Sequence, residues 1–184
     1  GLDDTASADW LISLSPGRWL YADIVDVAIN KLCVGHPIIY INHLEMLSFR
    51  RNEKISESLK INVNGVDTMM TVMLLNGNHF ILLKADIKNR QIFSYDSSNN
   101  RFHSERHEYM EIFFEMIEQI YESSNINIGT RKGWKLNDVL KVPQQENGHD
   151  CGIFVILFAQ FLIYKKEMNF TQSDIPYYRK AILR

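Results

Sequence analysis

Cysteine is scarce in this 184-residue chain, which has only Cys33 and Cys151. At most one disulfide could form, so a disulfide-built scaffold is excluded. Two thiolates are also too few for a structural zinc site unless histidines do most of the ligation. Neither sign of charge dominates: 20 Lys and Arg stand against 22 Asp and Glu, a formal net charge of −2. A generic nucleic-acid binder needs a dominant basic field, and that class is excluded too. Long apolar runs are missing. The longest, such as Ile153 to Ile163, falls short of the ~20 residues that span a bilayer, so no membrane partner is expected. No basic stretch followed by an apolar one opens the chain, so no signal peptide is expected and an intracellular setting, cytoplasm or nucleus, is. Four prolines and nine glycines are scattered rather than clustered, and no repeat or linker divides the sequence. The expectation is a monomeric single domain over residues 1–184, long enough to bury ~70% of its unfolded surface.

What the chain does contain is a change of period. Trp19, Leu20, Ile24, Val27, Ala28 and Leu32 recur at helical spacing, with Gly35 as a stop. Residues 36–60 read as one or two short helices. Then Thr68–Leu75, His79–Asp86 and Gln91–Tyr95 read as adjacent antiparallel strands, joined by Asn76-Gly77-Asn78 and Lys88-Asn89-Arg90. From Glu105 to Tyr121 one face stays apolar (Tyr109, Ile112, Phe113, Met116, Ile117, Ile120), which predicts an amphipathic helix. Trp134–Val142 reads as a strand ended by Pro143. Cys151–Tyr164 is apolar on nearly all sides, the pattern of a helix enclosed by the core. A last helix is expected from about Ser173, with Pro176 in its first turn. Strands clustered centrally with helices before and after them make an α+β arrangement.

The chemistry concentrates around Cys151. A polar loop, Pro143-Gln144-Gln145-Glu146-Asn147-Gly148-His149-Asp150, delivers this cysteine to the start of the apolar helix. Unpaired N–H groups and the macrodipole at a helix N-terminus favour negative charge, hence a thiolate. A small buried core thiol fits the position equally well. A nucleophile needs a base, and the base needs an orienting group. His79 leads an apolar strand after a turn, and Asp96 ends the next strand, so a hairpin would bring the two side by side. Taken singly, each also reads as an edge-strand histidine and a turn residue. Gln145 lies six residues before Cys151, where its amide could join the Cys151 N–H in an oxyanion hole; alone it reads as a loop glutamine.

Together these residues resemble the ubiquitin-like-specific protease family, the SUMO or sentrin-specific peptidases of clan CE. The segment Gln144-Gln145-Glu146-Asn147-Gly148-His149-Asp150-Cys151-Gly152 is close to that family's Q-Q-x-N-G-x-D-C-G. The His79-to-Asp96 separation, Trp19-Leu20 near the start and Arg179 near the end fit its pattern as well. The resemblance implies a papain-like α+β cysteine protease fold, with a central, mostly antiparallel sheet flanked by helices. It implies Cys151 as nucleophile, His79 as general base, Asp96 as its orienter and Gln145 as oxyanion donor. Trp19 and Phe80 take the positions of two aromatics that sandwich a diglycine tail. The implied partner is ubiquitin or a ubiquitin-like protein such as SUMO or NEDD8, with its conjugates, and no cofactor or metal is needed.

Two departures bear on the substrate. Phe80 replaces the usual Trp, which keeps an aromatic wall but loses an indole N–H. The family's W-L-N-D becomes Trp19-Leu20-Tyr21-Ala22, so the Asp that contacts SUMO falls on Ala22. This leans the reading towards ubiquitin over SUMO. Twenty-one isoleucines and fifteen asparagines suit an AT-rich genome and an effector of an intracellular bacterium, acting in a host cytoplasm. The alternatives are a clan CE acetyltransferase, which would need a basic cluster that the sequence lacks, or a modifier-binding pseudoenzyme, against which the complete His, Asp, Gln and Cys set argues. Cys33 reads as a packed core thiol. His103-Ser104-Glu105-Arg106-His107 lacks the H-E-x-x-H spacing of zinc hydrolases. His149 is too close in sequence to Cys151 to serve as its base.

Overall fold

The computed structural model describes residues 12–98 and 102–182. A helix α1 (Ala22–Cys33) precedes a short strand β1 (Ile38–Ile41) and helix α2 (His43–Asn52). Strands β2 (Thr68–Leu75), β3 (His79–Asp86) and β4 (Gln91–Tyr95) follow, then the long helix α3 (His103–Ser123), β5 (Lys135–Asp138), α4 (Cys151–Ile163) and α5 (Ile175–Ile182). The strands lie in the order β1-β2-β3-β4-β5. The three central strands pair antiparallel, whereas β1 joins β2 and β5 joins β4 in parallel. The expected mostly antiparallel sheet is therefore a mixed one.

The differences have local causes. Residues 36–60 hold one α-helix and a short 3₁₀ helix (Glu57–Leu59), as expected, but also the strand β1, because Ile38-Ile39-Tyr40-Ile41 is an uninterrupted β-branched and aromatic run. Four residues give too short an alternation to announce it. The expected strand from Trp134 to Val142 shrinks to β5, with one further bond from Val139 N–H to the Ser94 carbonyl at 3.0 Å. The hairpin between β2 and β3 turns as expected, with Asn76 and Gly77 both at positive φ, which asparagine and glycine tolerate best.

Helices cover both faces of the sheet. Met70, Val72, Phe80 and Leu82 pack with α1 and α4, while Met69, Met73, Ile81 and Leu83 pack with α2 and α3. The run Phe80-Ile81-Leu82-Leu83 is thus apolar because β3 is central and enclosed on both sides. Each such side chain contributes about 1.5–3 kcal/mol on burial, enough to hold β3 rigidly. Helix α4 is buried from Cys151 to Ala159 and packs on β3 and α1. One end of the sheet thereby collects the first residue of β3, the residue after β4 and the first residue of α4. No helix of the described residues is long and apolar enough to cross a membrane.

Candidate active site

His79, Asp96 and Cys151 meet at that end. His79 Nε2 stands 2.7 Å from Asp96 Oδ1, and Cys151 is near enough to act on the charge of the ring. Since Nε2 is committed to Asp96, Nδ1 is the nitrogen left for the sulfur. Burial of His79 lowers its pKa, but the hydrogen bond to Asp96 and the nearby Cys151 sulfur outweigh it, and the imidazole is held up at about 9. Asp96 is buried. Its Oδ1 also accepts the Ser98 N–H at 2.8 Å, a local turn that fixes the carboxylate just past β4.

Cys151 is the first residue of α4 and 4% exposed. Asp150, at the N-cap, makes no side-chain cap to the helix. Its carboxylate is taken instead by Asn147 Nδ2 and Gln172 Nε2, each at 2.7 Å, and by Arg179 Nε and Nη2 at 2.9 and 2.5 Å. The negative group nearest in sequence to the thiol is therefore turned away from it and neutralised. Burial raises the Asp150 pKa, but these hydrogen bonds outweigh it and hold the carboxyl below its usual range. Gly152 meets Leu20: a Cβ there would sit 3.0 Å from Leu20 Cβ. Its place next to the cysteine reflects packing against the Trp19-Leu20 segment.

Gln145 is held at three points. Its N–H donates to the Ser97 carbonyl at 2.8 Å, its Oε1 accepts from Ser97 Oγ at 2.7 Å, and its Nε2 donates to the Asn147 carbonyl at 2.5 Å. One Nε2 hydrogen is left for another acceptor. Gln145, His79 and Trp19 line a cavity of about 470 Å³ together with Asn78, Phe102 and Gly148. Trp19 is 53% exposed on its rim, whereas Phe80 is 4% exposed among Leu20, Cys151 and Leu82 and does not line it. The structure separates the two aromatics assigned to one slot: Phe80 lies inside β3, where α4 covers it, and only the strand's first residue reaches the cavity.

The remaining candidates sort cleanly. Burial pushes the Cys33 thiol up to about 11, which suits the packed core thiol expected of it. His103 and His107 turn to different partners, Asp138 at 3.5 Å and Glu111 at 3.9 Å, while Glu105 accepts the Asn76 N–H at 2.8 Å. Among the described residues, Asp23, Asp26 and His43 are grouped tightly enough to hold a metal ion. Asp26, however, already accepts from Tyr40 Oη at 2.5 Å and pairs with the His43 ring, so these groups satisfy one another. Two features escaped the sequence reading: the Asp150–Arg179 contact, and Arg106, whose guanidinium reaches Asp96 Oδ2 at 3.2 Å. Arg106 precedes Tyr109, Met110 and Phe113 at helical spacing, so it continues the apolar stripe of α3, and that was the available signal.

Residues 48–183 match the family model of the Ulp1 protease family, C-terminal catalytic domain. The chain belongs to the Ulp1 protease family. A sentrin-specific protease of Caenorhabditis elegans is 24% identical over 94% of this chain and 26% of its own length. A putative ubiquitin-like-specific protease 1B of Arabidopsis thaliana is 34% identical over 38% of the chain and 21% of its own length. The chain thus spans about a quarter or less of these curated relatives. Among solved structures, the C-terminal Ulp1 protease domain in complex with Smt3, the yeast ortholog of SUMO, superposes with a TM-score of 0.77 at 22% identity, over 95% of this chain and 79% of that one. The Xanthomonas campestris effector XopD, bound to ubiquitin, gives 0.59 at 11% identity, over 89% and 90%. These two likenesses show the Ulp1-type fold.

Proposed function

We propose that the chain is a cysteine isopeptidase that removes a ubiquitin-like modifier by cutting after its C-terminal diglycine. The observation that carries this is the His79 imidazole, hydrogen-bonded to Asp96 and close to Cys151, lining one cavity with Trp19 and Gln145. A proton moved from Sγ to His79 leaves a thiolate and an imidazolium, and the Asp96 carboxylate stabilises the latter. The thiolate attacks the glycine carbonyl carbon, while the Cys151 N–H and the second Gln145 Nε2 hydrogen receive the oxyanion. His79 then gives its proton to the departing lysine amine, the C–N bond breaks and a thioester remains. Neutral His79 takes a proton from water, whose oxygen attacks the thioester, and the Cys151 sulfur leaves and recovers a proton from His79.

SUMO is the first modifier to test, because a relative matched over 94% of the chain is named for sentrin and the Ulp1 domain was solved with Smt3. Ubiquitin is the second, on the strength of Ala22 and of the XopD complex. The assignments of Cys151, His79, Asp96 and Gln145 to their roles belong to this reading. C-terminally electrophilic SUMO, ubiquitin and NEDD8 probes test it. Covalent capture of SUMO or ubiquitin by the wild type and not by Cys151→Ala is expected. Capture by none, with labelling of Cys151 by acetyl-coenzyme A, would replace hydrolysis by acyl transfer.

A further inference from the structure

On the side of Asp96 away from His79, a buried guanidinium closes the site. Arg106, in the first turn of α3, is 0% exposed and the largest fully buried side chain of the described residues. Its Nη1 donates to Asp96 Oδ2 at 3.2 Å. Its Nε and Nη2 donate to Asp138 Oδ1 and Oδ2, at 2.8 and 3.0 Å, in a bidentate contact. Asp138, at the end of β5, also accepts from Ser94 Oγ at 2.5 Å, and the exposed His103 stands 3.5 Å from its Oδ2. Burying a cation costs several kcal/mol unless it is well paired. Here two carboxylates surround one guanidinium, so the three groups sum to a charge of −1.

The geometry divides the work. The shorter, bidentate contact commits Arg106 chiefly to Asp138. The longer, single contact reaches only the Asp96 oxygen that His79 does not use. We propose that Arg106 and Asp138 are a positioning pair for the His79–Asp96 couple: Arg106 locks the Asp96 carboxylate through Oδ2 so that Oδ1 faces the imidazole, and Asp138 offsets the guanidinium so that Asp96 keeps its charge for His79. This inference rests on the catalytic reading of His79, Asp96 and Cys151. It is supported by Asp138 itself. Burial raises its pKa, but the hydrogen bonds from Arg106 and Ser94 outweigh that and keep it low, so the compensating charge is present at neutral pH.

The test reads His79 directly, by NMR titration of its ring in the intact protein, beside kcat and KM on a modifier substrate. The groups that face the couple are Cys151 from α4, Arg106 from α3 and, behind it, Asp138 from β5 with His103 at its rim. Asp138→Asn keeps the shape and removes the offsetting charge. The guanidinium's charge then bears on Asp96 without that offset, and the His79 midpoint falls by about one pH unit, a tenfold change in its proton equilibrium. Arg106→Gln removes the cation and moves the midpoint up, while kcat drops by about ten- to a hundred-fold with KM little changed, part of the ~10²–10⁴ that a positioned acid–base group supplies. The double variant restores the midpoint and keeps kcat low, because the carboxylate is no longer locked. If Arg106→Gln does not fold, Asp138→Asn and the double variant carry the test. A purely structural pair would leave the midpoint where it is, and coincident midpoints in Asp138→Asn and wild type overturn the proposal. Shifted midpoints in a protein that captures no modifier would instead overturn the modifier reading and leave this one standing.

Discussion

Arg179 Nη2 lies 2.7 Å from the Arg18 carbonyl and 2.5 Å from Asp150 Oδ1, so a single guanidinium ties the residue before Trp19 to the residue before Cys151. Its Nη1 also donates to the Ser13 and Ser15 carbonyls at 3.2 and 3.3 Å. The tryptophan on the cavity rim and the candidate nucleophile come from opposite parts of the sequence. This cation on α5 holds them in one frame.

Removing that cation should cost stability first. In Arg179→Met, Asp150 stays buried with its principal partner gone, which is expected to destabilise the fold by about 3–5 kcal/mol. Urea denaturation measures it. The sign of the pH dependence follows from the depressed Asp150 pKa. Its contribution is present above the ordinary 3.8 and is lost as the pH falls through the lower folded-state value. The wild type should therefore lose this share of stability at acid pH, and the variant should show a shallower loss over the same range.

His79 predicts the alkaline behaviour. Its folded pKa of about 9 lies above the ordinary 6.5, so the stability it contributes is complete below 6.5 and disappears as the pH rises through about 9. Hydrolysis needs the imidazolium as proton donor, so kcat/KM should fall across the same range. Cys151→Ala removes one of the contacts that raise this pKa and keeps Asp96, so the ring of that variant should titrate below the wild-type midpoint. An NMR titration of His79 in both proteins decides it: an unchanged midpoint would mean that the sulfur does not help hold the ring's charge.

Gln145 should act on kcat. Its side chain is already fixed by Ser97 and the Asn147 carbonyl, so little ordering remains to be done when an oxyanion forms. Gln145→Ala is expected to lower kcat by about 10²–10³ with KM nearly constant, the usual size of one oxyanion donor. The thermal midpoint should move little, because the side chain is only half-buried in a polar loop. Steady-state kinetics on one modifier substrate, beside a melting curve, separate the two effects; equal changes in kcat and KM would argue for a binding role.

The helix that begins at Cys151 and the β2–β3 hairpin are legible in the sequence because both signals are local and strong. Thirteen residues apolar on nearly every side have no stable place outside a core, and Asn-Gly between apolar runs is hairpin chemistry. Asp96 and His79 were legible because one hairpin connects them. The rest is set by contacts distant in sequence. Four residues of β1 carry no usable period, and their strand state depends on pairing with β2 some thirty residues on. Arg106 sits among charged neighbours in α3, and only the closing of α3 over β4 and β5 makes it a buried cation between two carboxylates. The place of Phe80 next to His79 points it at the site, while burial by α4 decides where its ring goes.

Gly152→Ala poses two opposed effects on one atom. In an unconstrained helix the change stabilises by up to ~1 kcal/mol. Here the new Cβ meets Leu20 Cβ at 3.0 Å and its Cδ1 at 3.2 Å, and Leu20 cannot simply withdraw. The chain just before it is pinned through the Arg18 carbonyl to Arg179, and Leu20 itself is buried against Cys151 and Phe80. Overpacking of this kind costs about 1–3 kcal/mol and so exceeds the propensity gain. The displaced segment carries Trp19, so KM should rise by roughly tenfold, the ~1.4 kcal/mol of one lost aromatic contact. The falls in kcat should be smaller, since the hydrogen bonds of His79 with Asp96 and of Gln145 with Ser97 involve no atom of Leu20. Urea denaturation with steady-state kinetics reads both effects, and a more stable variant with unchanged KM would mean that the Trp19 segment yields without disturbing the substrate path.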